Sequence, residues 1–297
     1  FKQKTAYEIM PSLVGSEMCI RDRTIIKYGN EDLKKDILPK LVSGEIVGTL
    51  AVTEDFLAPT SSNITTEVSN NKITGKKIAV PDAGIATHSI IVCKSSNGID
   101  LRLIDLSDKS LSISSQETVD GSRGHFCIEL DNTPSLLVGD ENNGWELYES
   151  IINQAAVLFS FEQVGGSQAT LDMAVNYAKQ RYAFGKPIGS FQGVKHKLAD
   201  MYVAITLAKS NSYYAAWALS SDSSDLPVAA ATARVSSTKA FQLCSKENIQ
   251  THGGNGFTWE YDCHLFYKRS KLLSLNIGSL SNWKEKLVSN LEKSNIN

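Results

Sequence analysis

The chain has 297 residues, 42% of them hydrophobic and 21% charged, with a formal net charge of -2 at pH 7, enough to bury the cores of two packed domains. A near-neutral balance provides no broad electropositive field, so no nucleic-acid partner is expected and any anionic ligand must be met by local cations. Charge interrupts every apolar stretch well short of the roughly 20 residues that cross a bilayer, so neither a membrane span nor a signal peptide is expected.

Residues 1–23 are set apart, because Pro11–Arg23 (PSLVGSEMCIRDR) reads like a translated adapter fragment; fold reasoning starts at Thr24. Residues 24–45 predict a short helix with Asn30 as N-cap and Leu33, Ile37 and Leu41 on one face. Pro39 is expected to bend or end it. Over residues 46–137 the texture changes to short runs rich in Val, Ile and Thr, such as Gly48–Thr53, Lys72–Val80 and Ser89–Cys93, with Asn, Gly, Asp and Ser between them. Asn70-Asn71 marks a tight hairpin, and the stretch reads as an antiparallel, barrel-like β domain.

Over residues 138–297 the apolar spacing turns helical. Leu147, Ile151, Ala155 and Leu158, then Leu171, Val175 and Ala178, predict one long helix. A second runs through Val194, Leu198, Met201, Ile205 and Ala208, a third opens at Pro227, and a fourth covers Asp262–Asn276. A four-helix bundle is the simplest architecture, and without strand–helix alternation the fold class is α+β rather than doubly wound.

The five cysteines, Cys19, Cys93, Cys127, Cys244 and Cys263, form no CxxC pair and no cluster with histidine. Free thiols, a reducing cytoplasm and no metal site are expected. His252 and His264 flank a glycine-rich loop, but no carboxylate or thiolate spacing completes a site with them.

Two loops carry candidate chemistry. Gln180–Met201 (QRYAFGKPIGSFQGVKHKLADM) reads on its own as a helical hairpin with a basic edge at Lys186, Lys195 and Lys197. Gln250–Glu260 (QTHGGNGFTWE) puts three glycines in a short loop, which either reverses the chain or approaches a phosphate. Helical patterns on both sides exclude a dinucleotide or P-loop fingerprint, which needs a preceding strand.

The first loop closely resembles the acyl-CoA dehydrogenase signature, an Arg-x-x-Phe-Gly turn followed by Gln and a helix ending Ala-Asp-Met. The second is similar to the same family's Gln-x-x-Gly-Gly-x-Gly-Phe element. Tyr28–Glu45 and Gly48–Asp55 further resemble its Tyr-Gly-x-x-x-x-Lys…Leu-Pro-x-Leu-x-x-Gly-Glu segment and its Val-Thr-Glu strand, so the likeness runs from Tyr28 to Lys271. Residues 24–45 then correspond to a remnant of the family's N-terminal helical domain. The resemblance implies FAD as cofactor. Arg181 would reach the pyrophosphate of a flavin in a neighbouring subunit, a role that suits a bidentate guanidinium. Phe184 would pack beside the ribityl and adenosine portion, Gln192 would add a hydrogen bond, and Gly185 would permit close approach. Gln250, Gly253 and Gly254 would grip the adenosine-diphosphate end, and Val52 and Thr53 complete the cofactor-binding set. The implied activity is α,β-dehydrogenation of an acyl-CoA thioester, fatty-acyl or steroid side chain, by a homo- or hetero-tetramer that passes electrons to an acceptor protein.

The chain departs from that pattern where a base is required. The family's glutamate before Gly-Thr falls on Ile277, ahead of Gly278-Ser279, and the alternative glutamate on the long helix falls on Ala155. The family's arginine next to that second position is Ala156, and Lys77–Asp82 (KIAVPD) offers Ala79 and Pro81 where a Trp and a Thr usually cover the flavin. Glu162 lies seven residues beyond Ala155, about 10 Å along the helix at 1.5 Å per residue, and Glu260 lies beside the glycine loop. No residue is assigned as base. The alternative role is a non-catalytic subunit that completes FAD sites in a heteromeric enzyme.

Overall fold

The computed structural model describes residues 16–295, which divide into two compact units on either side of the Ala155–Ala156 bond. Residues 1–15 of the segment set apart, and the side chains of residues 16–21 with Cys19 among them, lie outside the description.

In the first unit α1 (Ser16–Tyr28) carries residues 16–23 of that segment straight into Thr24 and Ile25, both wholly buried. Arg23 Nε donates to Gln154 Oε1 at 2.7 Å. Helix α2 (Glu31–Ser43) starts where Asn30 Oδ1 accepts the Leu33 N–H at 2.8 Å, a side-chain N-cap. It passes through Pro39 and ends at Gly44, whose φ of 77° gives a left-handed cap. One missing N–H costs the helix a single rung, and Leu33 and Ile37 are buried ahead of it, so the glycine rather than the proline sets the end.

Eight strands follow among the described residues: β1 (Gly48–Ala51), β2 (Glu67–Ser69), β3 (Lys72–Pro81), β4 (His88–Lys94), β5 (Ile99–Asp105), β6 (Leu111–Gln116), β7 (His125–Pro134) and β8 (Leu136–Val138). They pair in the order β6-β7-β3-β2-β4-β5-β8, and β1 runs parallel to β4. The sheet is therefore mixed rather than purely antiparallel. Asn70 and Asn71 at φ 49° and 60° make the β2–β3 hairpin, as the Asn-Asn pair predicts. Ile73, Val80, Ile91, Ile104 and Ile128 form the centre of the core. Arg102 grips Asp100 Oδ2 through Nε and Nη2 at 3.1 and 2.7 Å, and Asp100 Oδ1 accepts the Asn142 N–H at 2.8 Å. This buried pair ties β5 to the loop ahead of the next helix.

Helix α3 (Gly144–Gln180) is 37 residues long and contains the division between the units. The second unit adds α4 (Gln192–Ser220), α5 (Leu226–His252), α6 (Cys263–Leu273) and α7 (Leu280–Asn295). Leu171, Ala174, Met201, Ile205 and Cys244 make its apolar core. Beside them the buried Gln163 amide accepts from Ser237 Oγ at 2.7 Å and donates to Thr238 Oγ1 at 3.1 Å, keying α3 to α5. The expected fourth helix is only α6, and the chain turns and continues as α7, which packs on α5 with Trp283 buried. Between α3 and α4 the chain makes a small antiparallel pair, β9 (Tyr182–Ala183) with β10 (Lys186–Pro187). Phe184 and Gly185 turn it at φ 53° and 77°, a conformation that glycine adopts freely and phenylalanine does not. Among the described residues no helix is long and apolar enough to cross a membrane.

Candidate functional site

The two loops singled out by sequence open onto one groove. In the second unit a concavity of about 440 Å³ is lined by Phe184, Ile188, Phe191, Val194, Lys197, Gln250 and Thr251, with Ala183 and Gly193. The β9–β10 turn pushes Phe184 outward until its side chain is 96% exposed, and Phe191 meets it edge-on with ring centroids 6.2 Å apart. Exposing an aromatic ring in a backbone conformation unfavourable to it costs free energy, which a ligand stacked there would offset.

Charge sits on the rim of this groove. Lys186 Nζ lies 4.4 Å from the Phe191 ring centroid, and Lys197 Nζ pairs with Glu247 Oε2 at 3.1 Å. Helix α4 begins here with Phe191 as N-cap and no side-chain cap bond, so its positive dipole end faces the groove mouth at Gln192 and Gly193. Arg181 is exposed, two residues before the groove wall starts, and its carbonyl accepts the Ile188 N–H at 2.8 Å. Gln192 is exposed between the lining residues Phe191 and Gly193.

On the opposite wall Gln250 is exposed, while Gly253 and Gly254 follow Thr251 without lining the groove themselves. A Cβ on either glycine would meet nothing within 4 Å, so open space lies over this backbone. Beneath it His252 is buried and stacks on Tyr177 at 4.1 Å, with Tyr261 edge-on to both rings. His252 Nδ1 lies 2.9 Å from Asn248 O, and Asn255 Nδ2 donates to Tyr177 Oη at 3.0 Å. This aromatic layer holds the glycine loop from below. His264 sits edge-on to Trp259.

Val52 and Thr53 belong to the first unit, just past β1. Their main chain is pinned: Lys77 Nζ donates to Val52 O at 3.0 Å, and the Ile78 N–H donates to Thr53 O at 2.8 Å. Next to them Glu54 accepts from Lys77 Nζ and from Thr65 N and Oγ1, each at 2.6 Å, and from Thr66 N at 3.0 Å. Burial pushes the Glu54 carboxyl up, but the hydrogen bonds from Lys77 and Thr65 outweigh it and hold the group at about 2. Burial draws Lys77 below the usual lysine range against the pull of Glu54. Glu54 closes the Val-Thr-Glu segment and Lys77 opens the Lys77–Asp82 run, but nothing in the sequence announces the bond between them, because a lysine on an alternating strand reads as solvent-facing.

No carboxylate stands at either base position. Ala155 and Ala156 are wholly buried, and Ile277 is half-buried in the α6–α7 turn. Glu162 accepts from Arg269 Nη1 at 3.1 Å, which ties α3 to α6. Glu260 is exposed. Arg234, 1% exposed, donates from Nη2 to the Leu273 carbonyl at the end of α6, whereas its Nε and Nη1 find no hydrogen-bond partner among the described residues.

Residues 142–280 match the sequence model of the acyl-CoA dehydrogenase C-terminal domain. Acyl-CoA dehydrogenase IpdE2 of Mycobacterium tuberculosis is 43% identical over 120 residues, a match covering 40% of this chain and 36% of IpdE2. Probable acyl-CoA dehydrogenase YngJ of Bacillus subtilis is 29% identical over 267 residues, covering 85% of this chain and 70% of YngJ. The glutaryl-coenzyme A dehydrogenase structure with glutaryl-CoA superposes with a TM-score of 0.87 at 25% identity, covering 95% of this chain and 75% of that one. Residues 142–280 thus correspond to an acyl-CoA dehydrogenase C-terminal domain, and the chain as a whole is similar to acyl-CoA dehydrogenases in sequence and in fold.

Proposed function

We propose that the chain is an FAD-holding subunit of an acyl-CoA dehydrogenase-type oxidoreductase acting on a CoA thioester within an oligomer. The observation that carries this reading is the single groove shared by the Phe184 turn and the Gln250–Thr251 stretch. Residues lining the groove, with Arg181, Gly253 and Gly254 next to them in sequence, fit one end of a flavin dinucleotide. Apolar rings suit an adenine face, the uncapped start of α4 and the Arg181 guanidinium suit a diphosphate, and the bare main chain at Gly253 and Gly254 admits close contact. Gln192 and Gln250 would add neutral hydrogen bonds, and Val52 and Thr53 of the β domain are proposed as further cofactor contacts. FAD held by these residues would supply a hydride acceptor for the β-carbon of the thioester. An electron-transfer protein would then take the electrons onward.

Association is supported by α4, which exposes Tyr202, Val203, Leu207, Tyr213 and Trp217. An apolar surface of that extent is unusual on a monomer and suits burial between subunits. The relatives' names support a thioester substrate and leave its acyl group open between fatty-acyl and steroid side-chain classes.

A second reading is favoured by Ala155, Ala156 and Ile277, which supply neither a base nor an anchoring cation. On that reading the chain completes FAD sites for a partner that carries the carboxylate. The test is to purify the chain alone and together with a base-bearing family member, record flavin absorbance, and titrate each with acyl-CoAs anaerobically. No flavin in either preparation sinks the cofactor reading. Bleaching by the isolated chain removes the partner-subunit reading, and bleaching confined to the mixed complex removes independent catalysis.

A further inference from the structure

A lysine with no solvent exposure in the middle of a β sheet is an expensive residue. Lys77 is one: its ammonium is wholly shielded and meets Glu54, whose side chain is 9% exposed. Replacing a buried ion pair with apolar groups of similar volume is often neutral or stabilising, so stability alone is a poor account of Lys77. The geometry gives a better one, because every bond of the network ends on the same three residues. Lys77 Nζ holds Val52 O, the next residue's N–H holds Thr53 O, and the Glu54 carboxylate is fastened by Thr65 and Thr66.

The strand is deformed to allow this. The β3–β7 register slips between Lys77 and Val80, placing one extra residue on β3. Ala79 takes up the slip at φ 52°, a left-handed conformation, and its N–H is caught by Gln116 Oε1 at 2.7 Å. The bulge releases Ile78 toward Thr53, immediately after Lys77 has reached Val52.

We infer that Lys77, held by Glu54, is a positioning residue: the buried ammonium fixes the main chain of Val52–Thr53 in the shape that receives the cofactor. The inference rests on the FAD reading above for what is received, and on this chain's own contacts for the fixing. Lys77 touches no ligand in this role. Its action is preorganisation, which lowers the ordering cost of binding.

The test is the double variant K77M/E54Q, which removes both charges and keeps their volume. Three quantities are compared with the wild type: thermal midpoint, FAD dissociation constant with visible circular dichroism of bound flavin, and exchange of the Ile78 amide in cofactor-free protein. We expect a midpoint near that of the wild type, FAD bound roughly tenfold more weakly with an altered flavin spectrum, and roughly tenfold faster Ile78 exchange. Unchanged affinity, spectrum and exchange in a folded double variant overturn the inference. Should it fail to fold, T65V takes its place, since it removes one donor to Glu54 and leaves Lys77 intact; unchanged Ile78 exchange and affinity there overturn it equally. A wild-type chain that binds no FAD defeats the functional reading instead, and the exchange measurement then judges the fixing alone.

Discussion

The indole Nε1 of Trp283 donates to the Ile277 carbonyl at 3.0 Å, so a buried side chain of α7 pins the turn that joins α6 to α7. The bond uses main chain, which leaves the Ile277 side chain free to change without loosening the turn. Ile277→Glu should therefore cost about 1 kcal/mol, as for a typical substitution at a half-buried position. On the reading that this chain lacks only a base, the variant should bleach bound flavin on anaerobic addition of acyl-CoA where the wild type does not. Equal bleaching by the wild type would show that a carboxylate elsewhere already serves.

Arg181 is exposed, and among the described residues its side chain makes no hydrogen bond or ion pair that stability would miss. Arg181→Ala should leave the thermal midpoint of the cofactor-free protein unchanged while stripping FAD, read as the flavin-to-protein absorbance ratio. Arg181→Lys should recover part of the affinity, since an ammonium keeps the charge but not the bidentate geometry. Full cofactor content in Arg181→Ala would remove Arg181 from the site.

What the sequence makes legible is local. Asn70-Asn71 announces its hairpin because both residues tolerate positive φ, and the α3, α4 and α5 patterns persist over enough turns to be read. The two motif loops are legible through their resemblance, though the strand pair that aims Phe184 outward is too short to leave a periodic signal. Pairings across long separations are not legible. The Lys77–Glu54 bond spans 23 residues and the Glu162–Arg269 bond 107, and each member taken alone looks like an ordinary surface charge. Leu280, Trp283, Leu287 and Leu291 do carry a helical spacing, and that signal could have revealed α7.

The acid limb of stability should report Glu54. Its carboxyl is held at about 2 in the folded chain against an ordinary 4.5, because Lys77 and Thr65 bind the charged form in spite of burial. A depressed carboxyl contributes stability that is complete above the unfolded value and is lost as protons bind. Denaturant unfolding should therefore show stability falling from about pH 4.5 down toward pH 2, with Glu54→Gln flattening that limb. An identical slope in the variant would mean that other carboxylates govern the transition.

Two adjacent glycines in α3 should respond in opposite directions to the same change. A Cβ on Gly166 would lie 2.5 Å from the Phe241 ring edge, and Phe241 is buried and cannot swing away. Gly166→Ala should cost roughly 1–3 kcal/mol as the helices α3 and α5 are forced apart. A Cβ on Gly165 meets nothing within 4 Å. Gly165→Ala should stabilise by about 0.5–1 kcal/mol, since alanine loses less backbone freedom on entering a helix. Chemical denaturation of the two variants side by side checks the packing of α3 against α5 without any cofactor. A stabilised Gly166→Ala would place Phe241 elsewhere and undo the close approach that the glycine permits.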